Sequence, residues 1–389
     1  MFIKGIHYQT GEAIGISIEN ENISSIEKLT KRDISSKLPI IAPGLVDLQL
    51  NGYRGVDFNS PLFSKEDVYN VTSALWKEGV VSFYPTIITN EDSKIEEAIG
   101  TILEACEAYD LVNKSIEGIH LEGPFISPED GPRGAHKKKY VQKPDWPLFQ
   151  KWQHAAKAKI KILTLSPEWP GSLDFIKKCA DSGVTVAIGH TAATPEQIKA
   201  AVSAGAKLST HLGNGAHLMM QRHPNYIWEQ LAQDNLWASC IADGFHLPPS
   251  VLKVIFKVKK EMAILVSDAV YLSGLPPGTY NTHIGGEVVL TSQGKLHLAD
   301  NPNLLAGSVK MLKSGIENLV QEGICSFPDA WNAASILPAL LMNLPIQKGL
   351  SIYSKADFVL IERQTNHWKV IQTVKHGKIV YLDESSIEN

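Results

Sequence analysis

Between residues 44 and 267 the chain, without any internal sequence repeat, alternates short apolar runs with amphipathic stretches between most of them. The runs are Gly44–Leu50, Val80–Pro85, Ile116–Leu121, Ile160–Leu165, Val184–Gly189, Ala206–Thr210, Trp237–Ala242 and Ala263–Ser267. Ser64–Glu78, Lys94–Tyr109, Ser172–Ser182 and Pro195–Ala204 carry helical apolar spacing between them. Strands without in–out alternation are buried on both faces, and with crossover helices they form a parallel sheet. Eight such units predict a (β/α)8 TIM-type barrel. An open doubly wound sheet is the alternative. It fits less well, because no glycine-rich phosphate loop follows the first run and the chemistry-bearing residues are spread over many run ends.

Both chain ends have another texture. Gly15–Glu19 alternates and is followed by the turn signal Glu21-Asn22, while Ala356–Ile361, Trp368–Val374 and Gly377–Tyr381 read as strands. We therefore expect a small β-sandwich domain from residues 1–42 and 345–389 beside a barrel of residues 43–344. A length of 389 residues with 44% hydrophobic content can support one large core and one small one. Tyr280–Leu298 reads as a hairpin insertion turning at Gly285-Gly286, and Leu212–Tyr226 as a long loop.

A net charge of −4, with Lys137-Lys138-Lys139 as the longest basic run, argues against a nucleic-acid partner. Cys106, Cys179, Cys240 and Cys325 show no paired spacing and suit free thiols in a reducing compartment. The N-terminus turns polar almost at once, and no apolar run approaches the ~20 residues of a membrane span. A cytoplasmic protein without a membrane partner is expected.

Several run ends carry chemistry. Glu122 closes His120-Leu121-Glu122-Gly123-Pro124, His190 closes Ile188-Gly189-His190, and His211 closes Ser209-Thr210-His211. Barrel sites lie at the carboxyl ends of the strands. Two imidazoles and a carboxylate there suffice to hold a catalytic divalent metal with one open position. Taken singly, Glu122 could pair with a lysine, His190 could sit at a helix start and His211 could be a packed rim residue. Asp268, after Val266-Ser267, supplies a proton acceptor for water, its alternative being a helix N-cap. His120, two residues before Glu122, lies one layer deeper and reads as a hydrogen-bonded core histidine. Gln49 and Asn51 share a face of the first strand. A neutral amide pair is a poor ligand set, so one metal is expected rather than two. Zinc suits the ligands, and iron, manganese or cobalt also fit.

These residues resemble the N-acetylglucosamine-6-phosphate deacetylase family of the amidohydrolase superfamily. The motifs run in family order: Pro43–Gly52, Gly118–Phe125, Gly134-Ala135-His136, Gly189-His190-Thr191, Thr210-His211-Leu212, Ile241–His246, Val266–Ala269 and Leu305–Ser308. The resemblance implies Glu122, His190 and His211 as metal ligands and Asp268 as general acid/base. It also implies His136 polarising an acetyl carbonyl. His246 and Arg222 would address a sugar phosphate, with Arg222 reaching a neighbouring subunit's site in a homodimer, and Asn214 and Gly215 would add loop contacts. Gln49 and Asn51 match the family's single-metal branch. The implied reaction is metal-dependent hydrolysis of an amino sugar phosphate, foremost N-acetylglucosamine 6-phosphate to glucosamine 6-phosphate and acetate. The alternatives are another amidohydrolase reaction, on a different N-acyl sugar, a cyclic amide or a deaminase substrate, or a barrel that binds sugar without turnover. The loop Leu212–Met220 departs from the family in losing an aromatic residue and gaining His217, with His223 further on. Both histidines could bring positive charge to a phosphate below about pH 6.5.

Overall fold

Each apolar run becomes a strand. The structure, a computed structural model, describes residues 1–30, 38–60, 62–282, 286–365 and 367–386. Eight parallel strands follow one another in chain order: Leu45–Leu50, Val80–Ile88, Ile119–Glu122, Ile160–Leu165, Thr185–Ile188, Ala206–Ser209, Trp237–Cys240 and Ala263–Leu265. The sheet closes on itself where Asp268 N donates to Gln49 O at 2.9 Å and Leu50 bridges Ala269. It is a TIM-type barrel.

Its interior is a packed layer that includes Val46, Leu48, Val81, Tyr84, Ile162, Leu208, Ile241 and Ile264. Ala339, Leu344 and Ile346 close the floor at the amino ends of the strands. The barrel is thus solid below and chemically functional only above. Outside, the helix Lys65–Lys77 begins with a capping box between Ser64 and Asp67 and ends at Glu78. Pro195–Ser203 is capped in the same way by Thr194 and Gln197. These signals are local, and the helices start and stop within two residues of the sequence expectation.

Four strands end earlier than their apolar runs. Pairing stops at Ile188, Ser209, Cys240 and Leu265 rather than at Gly189, Thr210, Ala242 and Ser267. Beyond three of them the backbone enters the left-handed region, with φ of 49° at His190, 27° at His211 and 47° at Asp268. Such φ values cannot continue a ladder. The third strand begins at Ile119 rather than Ile116, because the helix Asp110–Ser115 runs up to Ile116.

The chain ends form one seven-stranded sheet in the order Lys378–Leu382, Trp368–Lys375, Phe358–Arg363, Ile40–Pro43, Phe2–His7, Ala13–Glu19 and Asn22–Lys28. Both wings share a core, Ile14, Ile16 and Ile18 from one and Phe358, Leu360 and Ile371 from the other. Ile23 N donates to Ser354 O at 2.9 Å, so the sheet curls over as a sandwich. Lys375, fully buried and paired with Asp357 of the same domain at 2.9 Å, ties the sheet to the barrel through Ser82 Oγ at 3.2 Å.

The insertion after the eighth strand has three antiparallel strands, Gly278–Thr282, Gly286–Leu290 and Leu296–Leu298, rather than a two-stranded hairpin. Gly285, half of the expected turn, lies outside the described residues. Among the described residues no helix is long and apolar enough to cross a membrane.

Candidate active site

Three side chains from three strand ends meet in one triangle. Glu122 Oε1 lies 3.2 Å from His190 Nε2 and 3.1 Å from His211 Nε2, and the two nitrogens are 3.1 Å apart. All three residues are buried. Ligand atoms about 2.0 Å from a tetrahedral zinc stand about 3.3 Å from one another, so the triangle has the dimensions such an ion requires. His190 Nδ1 faces Pro132 O at 2.8 Å. A carbonyl only accepts, so Nδ1 carries the proton and Nε2 is left with its lone pair turned into the triangle. Ligand atoms of Glu122, His136 and His190 also lie within 4.8 Å of one another, so His136 stands at the same centre. The triangle completed by His211 is the tighter of the two sets.

The electrostatics suit a cation. Burial pushes the Glu122 carboxyl up, but the hydrogen bonds and charges of His190 and His211 outweigh it and hold the group well below the usual carboxylate range. Burial also lowers His211, and the bond from Glu122 overrides it to leave that imidazole raised. His136 is brought down to about 3 by burial and then by His190. It is a neutral imidazole with Nδ1 at 2.8 Å from Thr89 Oγ1.

Asp268 follows the eighth strand, its carboxyl raised to about 6 by burial, with His211 opposing and Glu122 reinforcing the shift. Asn51 Nδ2 donates to Asp268 Oδ1 at 2.7 Å, and Gln49 Nε2 donates to Glu122 Oε1 at 2.9 Å. His120 is the core histidine expected. Its Nδ1 meets Leu48 O at 3.0 Å and its Nε2 meets Thr164 Oγ1 at 2.7 Å, beneath the triangle.

The remaining expected residues lie in the loops above. Asn214 N donates to His211 O at 2.9 Å, and Gly215, at φ +56°, packs against the His190 ring. His246 is oriented by Asp243, whose Oδ2 lies 2.7 Å from its Nδ1. Arg222 is exposed on the loop and is not brought to the triangle of its own chain. His217 is used differently from the expectation: Nδ1 meets Tyr226 Oη at 3.0 Å and Nε2 meets Glu129 at 3.1 Å. Both its nitrogens are engaged in joining two loops, and neither is left to face a phosphate.

Residues 40–380 match a family model described as the amidohydrolase family. N-acetylglucosamine-6-phosphate deacetylase from Bacillus subtilis is 33% identical over 89% of this chain and 86% of its own. The Bos taurus enzyme of that name is 32% identical over 89% and 85%. The chain belongs to the amidohydrolase family and, within it, to the N-acetylglucosamine-6-phosphate deacetylases. A crystal structure of that deacetylase from Thermotoga maritima superposes with a TM-score of 0.83 at 26% identity, covering 98% of this chain and all (100%) of the other.

Three carboxylates of this amidohydrolase, one just below the rim and two on it, escaped sequence reasoning. Asp47, two residues before Gln49 on the same strand, is fully buried and accepts from Ser267 N at 3.1 Å. Asp243 stands three residues before His246, a spacing that was visible in the motif. Glu168 follows the fourth strand, the one rim position between the ligand-bearing strands to which no role had been given.

Proposed function

We propose that this protein hydrolyses the N-acetyl amide of an amino sugar phosphate, converting N-acetylglucosamine 6-phosphate to glucosamine 6-phosphate and acetate. The observation that carries the reading is the triangle of Glu122, His190 and His211 facing a raised carboxyl at Asp268. The sugar is the one named by the relatives. Those three residues would hold one divalent cation, zinc by its two-nitrogen, one-carboxylate donor set. Such a cation supplies Lewis acidity to an amide carbonyl and makes water a better nucleophile.

The chain's own groups do the rest. Asp268, held in place by Asn51, takes the proton of the attacking water and returns it to the departing amine. A carboxyl near 6 can both accept and give a proton close to neutrality. His136, neutral because it is buried, donates a hydrogen bond to the acyl oxygen as negative charge develops there. Gln49 fixes the Glu122 carboxylate. Asn214, Gly215 and His246 bind the sugar and its phosphate, together with Arg222 from a second copy of the chain.

The homodimer in this reading rests on that loop. Leu218 and Met219 beside Arg222 are 91% and 90% exposed, an apolar surface that a partner would cover. The cytoplasm, where sugar phosphates are found, is the proposed location. The division into residues 1–42 with 345–389 and residues 43–344 belongs to the same reading. The test is the appearance of a free amine. Purified protein with zinc should convert N-acetylglucosamine 6-phosphate to a primary amine and acetate in equal amounts, and no amine from this substrate would end the proposal.

A further inference from the structure

Glu168 lies on the segment after the fourth strand and touches none of the three triangle residues through their side chains. Its carboxylate nevertheless joins three consecutive rim segments. Ser127 Oγ, on the segment after Glu122, donates to Oε1 at 2.6 Å. Ser166 Oγ, at the end of the fourth strand, donates to Oε2 at 2.7 Å, and Ala192 N, two residues past His190, donates to the same oxygen at 2.6 Å. Both oxygens are thus taken up by hydroxyl and amide donors rather than by a lysine or arginine.

The network closes around His190. Ser127 N donates to His190 O at 2.8 Å, and Ser166 Oγ is 2.7 Å from Thr191 Oγ1, which accepts from Ala193 N at 3.0 Å. The backbone on both sides of His190 is therefore tethered, directly or through one hydroxyl, to this carboxylate. His190 needs such tethering. Its φ of 49° is one that residues other than glycine adopt at a cost, and they keep it only where the surroundings over-determine it. A carboxylate accepting three charge-assisted hydrogen bonds is a strong constraint of that kind.

We propose that Glu168 is a positioning residue for the metal centre, holding His190 in its left-handed conformation so that Nε2 points into the triangle. The inference rests on the reading of His190 as a ligand. Without the carboxylate, Ala192 N and two hydroxyls lose their acceptor, the segment can relax toward an ordinary φ, and Nε2 turns away from Glu122 and His211. Glutamine is the informative replacement. Its oxygen can still accept from Ser166 and Ala192, while its amide nitrogen can donate to Ser127 Oγ.

The test compares Glu168→Ala, Glu168→Gln and His190→Ala, measuring zinc affinity of metal-free protein by chelator competition alongside kcat, KM and melting temperature. Glu168→Ala should weaken zinc about tenfold or more and lower kcat, with KM within about twofold, as removing an outer partner of a ligand does. Glu168→Gln should restore most of both. His190→Ala should weaken zinc further still. A Glu168→Ala protein that melts earlier but keeps zinc affinity and kcat within about twofold, while His190→Ala loses zinc, overturns this inference alone. Unchanged zinc binding in His190→Ala overturns the ligand reading and the inference with it. If Glu168→Ala does not fold, Ser127→Ala carries the test: zinc weakened about threefold or more supports the tether, and unchanged zinc refutes it.

Discussion

Asn51 Nδ2 donates to Asp268 Oδ1 at 2.7 Å, joining the end of the first strand to the segment beyond the eighth. Gln49, on the same strand face, does the equivalent for Glu122 at 2.9 Å. The amide pair therefore orients both carboxylates, Glu122 and Asp268, from one strand end. Neither amide needs to be a ligand for the first strand to matter.

Asp268→Asn should lower kcat by about a hundredfold to ten-thousandfold, the range for loss of a positioned acid/base, while zinc affinity stays close to wild type. The pH profile gives a second reading of the same group. A base with its carboxyl raised to about 6 works only when ionised, so kcat/KM should climb as pH rises towards that value and level off above it. The acid limb should vanish in Asp268→Asn. Retention of both rate and limb would exclude Asp268 from proton transfer.

Asp47 makes a stability prediction. Burial raises its carboxyl to about 7, against the ordinary value of 3.8, with the bonds from Ser267 and Gln49 opposing the shift. The folded protein thus binds this proton more tightly than the unfolded chain does. The resulting stabilisation is complete below about pH 3.8 and is lost as pH rises through about 7. Asp47→Asn removes that loss, so its melting temperature relative to wild type should improve from pH 5 to about pH 7 and level off above it. A difference that does not vary with pH would show the carboxyl to be ionised throughout.

Gly215 has no room for a side chain. A Cβ there would stand 2.7 Å from His190 Nδ1, and its φ of +56° is itself strained for any residue with one. Gly215→Ala should cost about 1–3 kcal/mol of local strain and displace the His190 ring, weakening zinc by tenfold or more. Wild-type zinc affinity in this variant would show that the loop yields instead.

Arg222→Ala should raise KM for the phosphorylated substrate tenfold or more, about 1.4 kcal/mol, with less effect on turnover at saturation. Because the guanidinium would come from the other subunit, complementation is expected. At low substrate, mixed Arg222→Ala and Asp268→Asn dimers should exceed either parent, since one of their two sites regains both residues. No gain on mixing would place Arg222 outside its partner's site.

Much of this was legible in the sequence for local reasons. Ser64 and Glu78 bracket the helix Lys65–Lys77 because capping chemistry lies within a few residues of each end. The rim positions of Glu122, His190, His211 and Asp268 follow from apolar runs ending beside small residues. What was not legible depends on contacts between distant segments. Glu168 gains its role from Ser127 and Ala192, and Asp47 from Ser267. The left-handed backbone at the rim histidines has no signature in residue type, and it shortens the strands that composition alone would extend. His217 reads in the sequence as free charge beside a phosphate, whereas in the fold Glu129 and Tyr226 hold it. The third strand of the insertion, Leu296–Leu298, is too short for its alternation to register.

The central claim is that one cation in the triangle of Glu122, His190 and His211 supports amide hydrolysis. The most direct measurement titrates zinc into metal-free protein and follows both bound metal and acetate released from N-acetylglucosamine 6-phosphate. Acetate release should rise in step with binding and level off at one zinc per chain, with Glu122→Ala, His190→Ala and His211→Ala each failing to reach it. Full activity in metal-free protein, or a plateau only at two zinc ions per chain, would contradict the account.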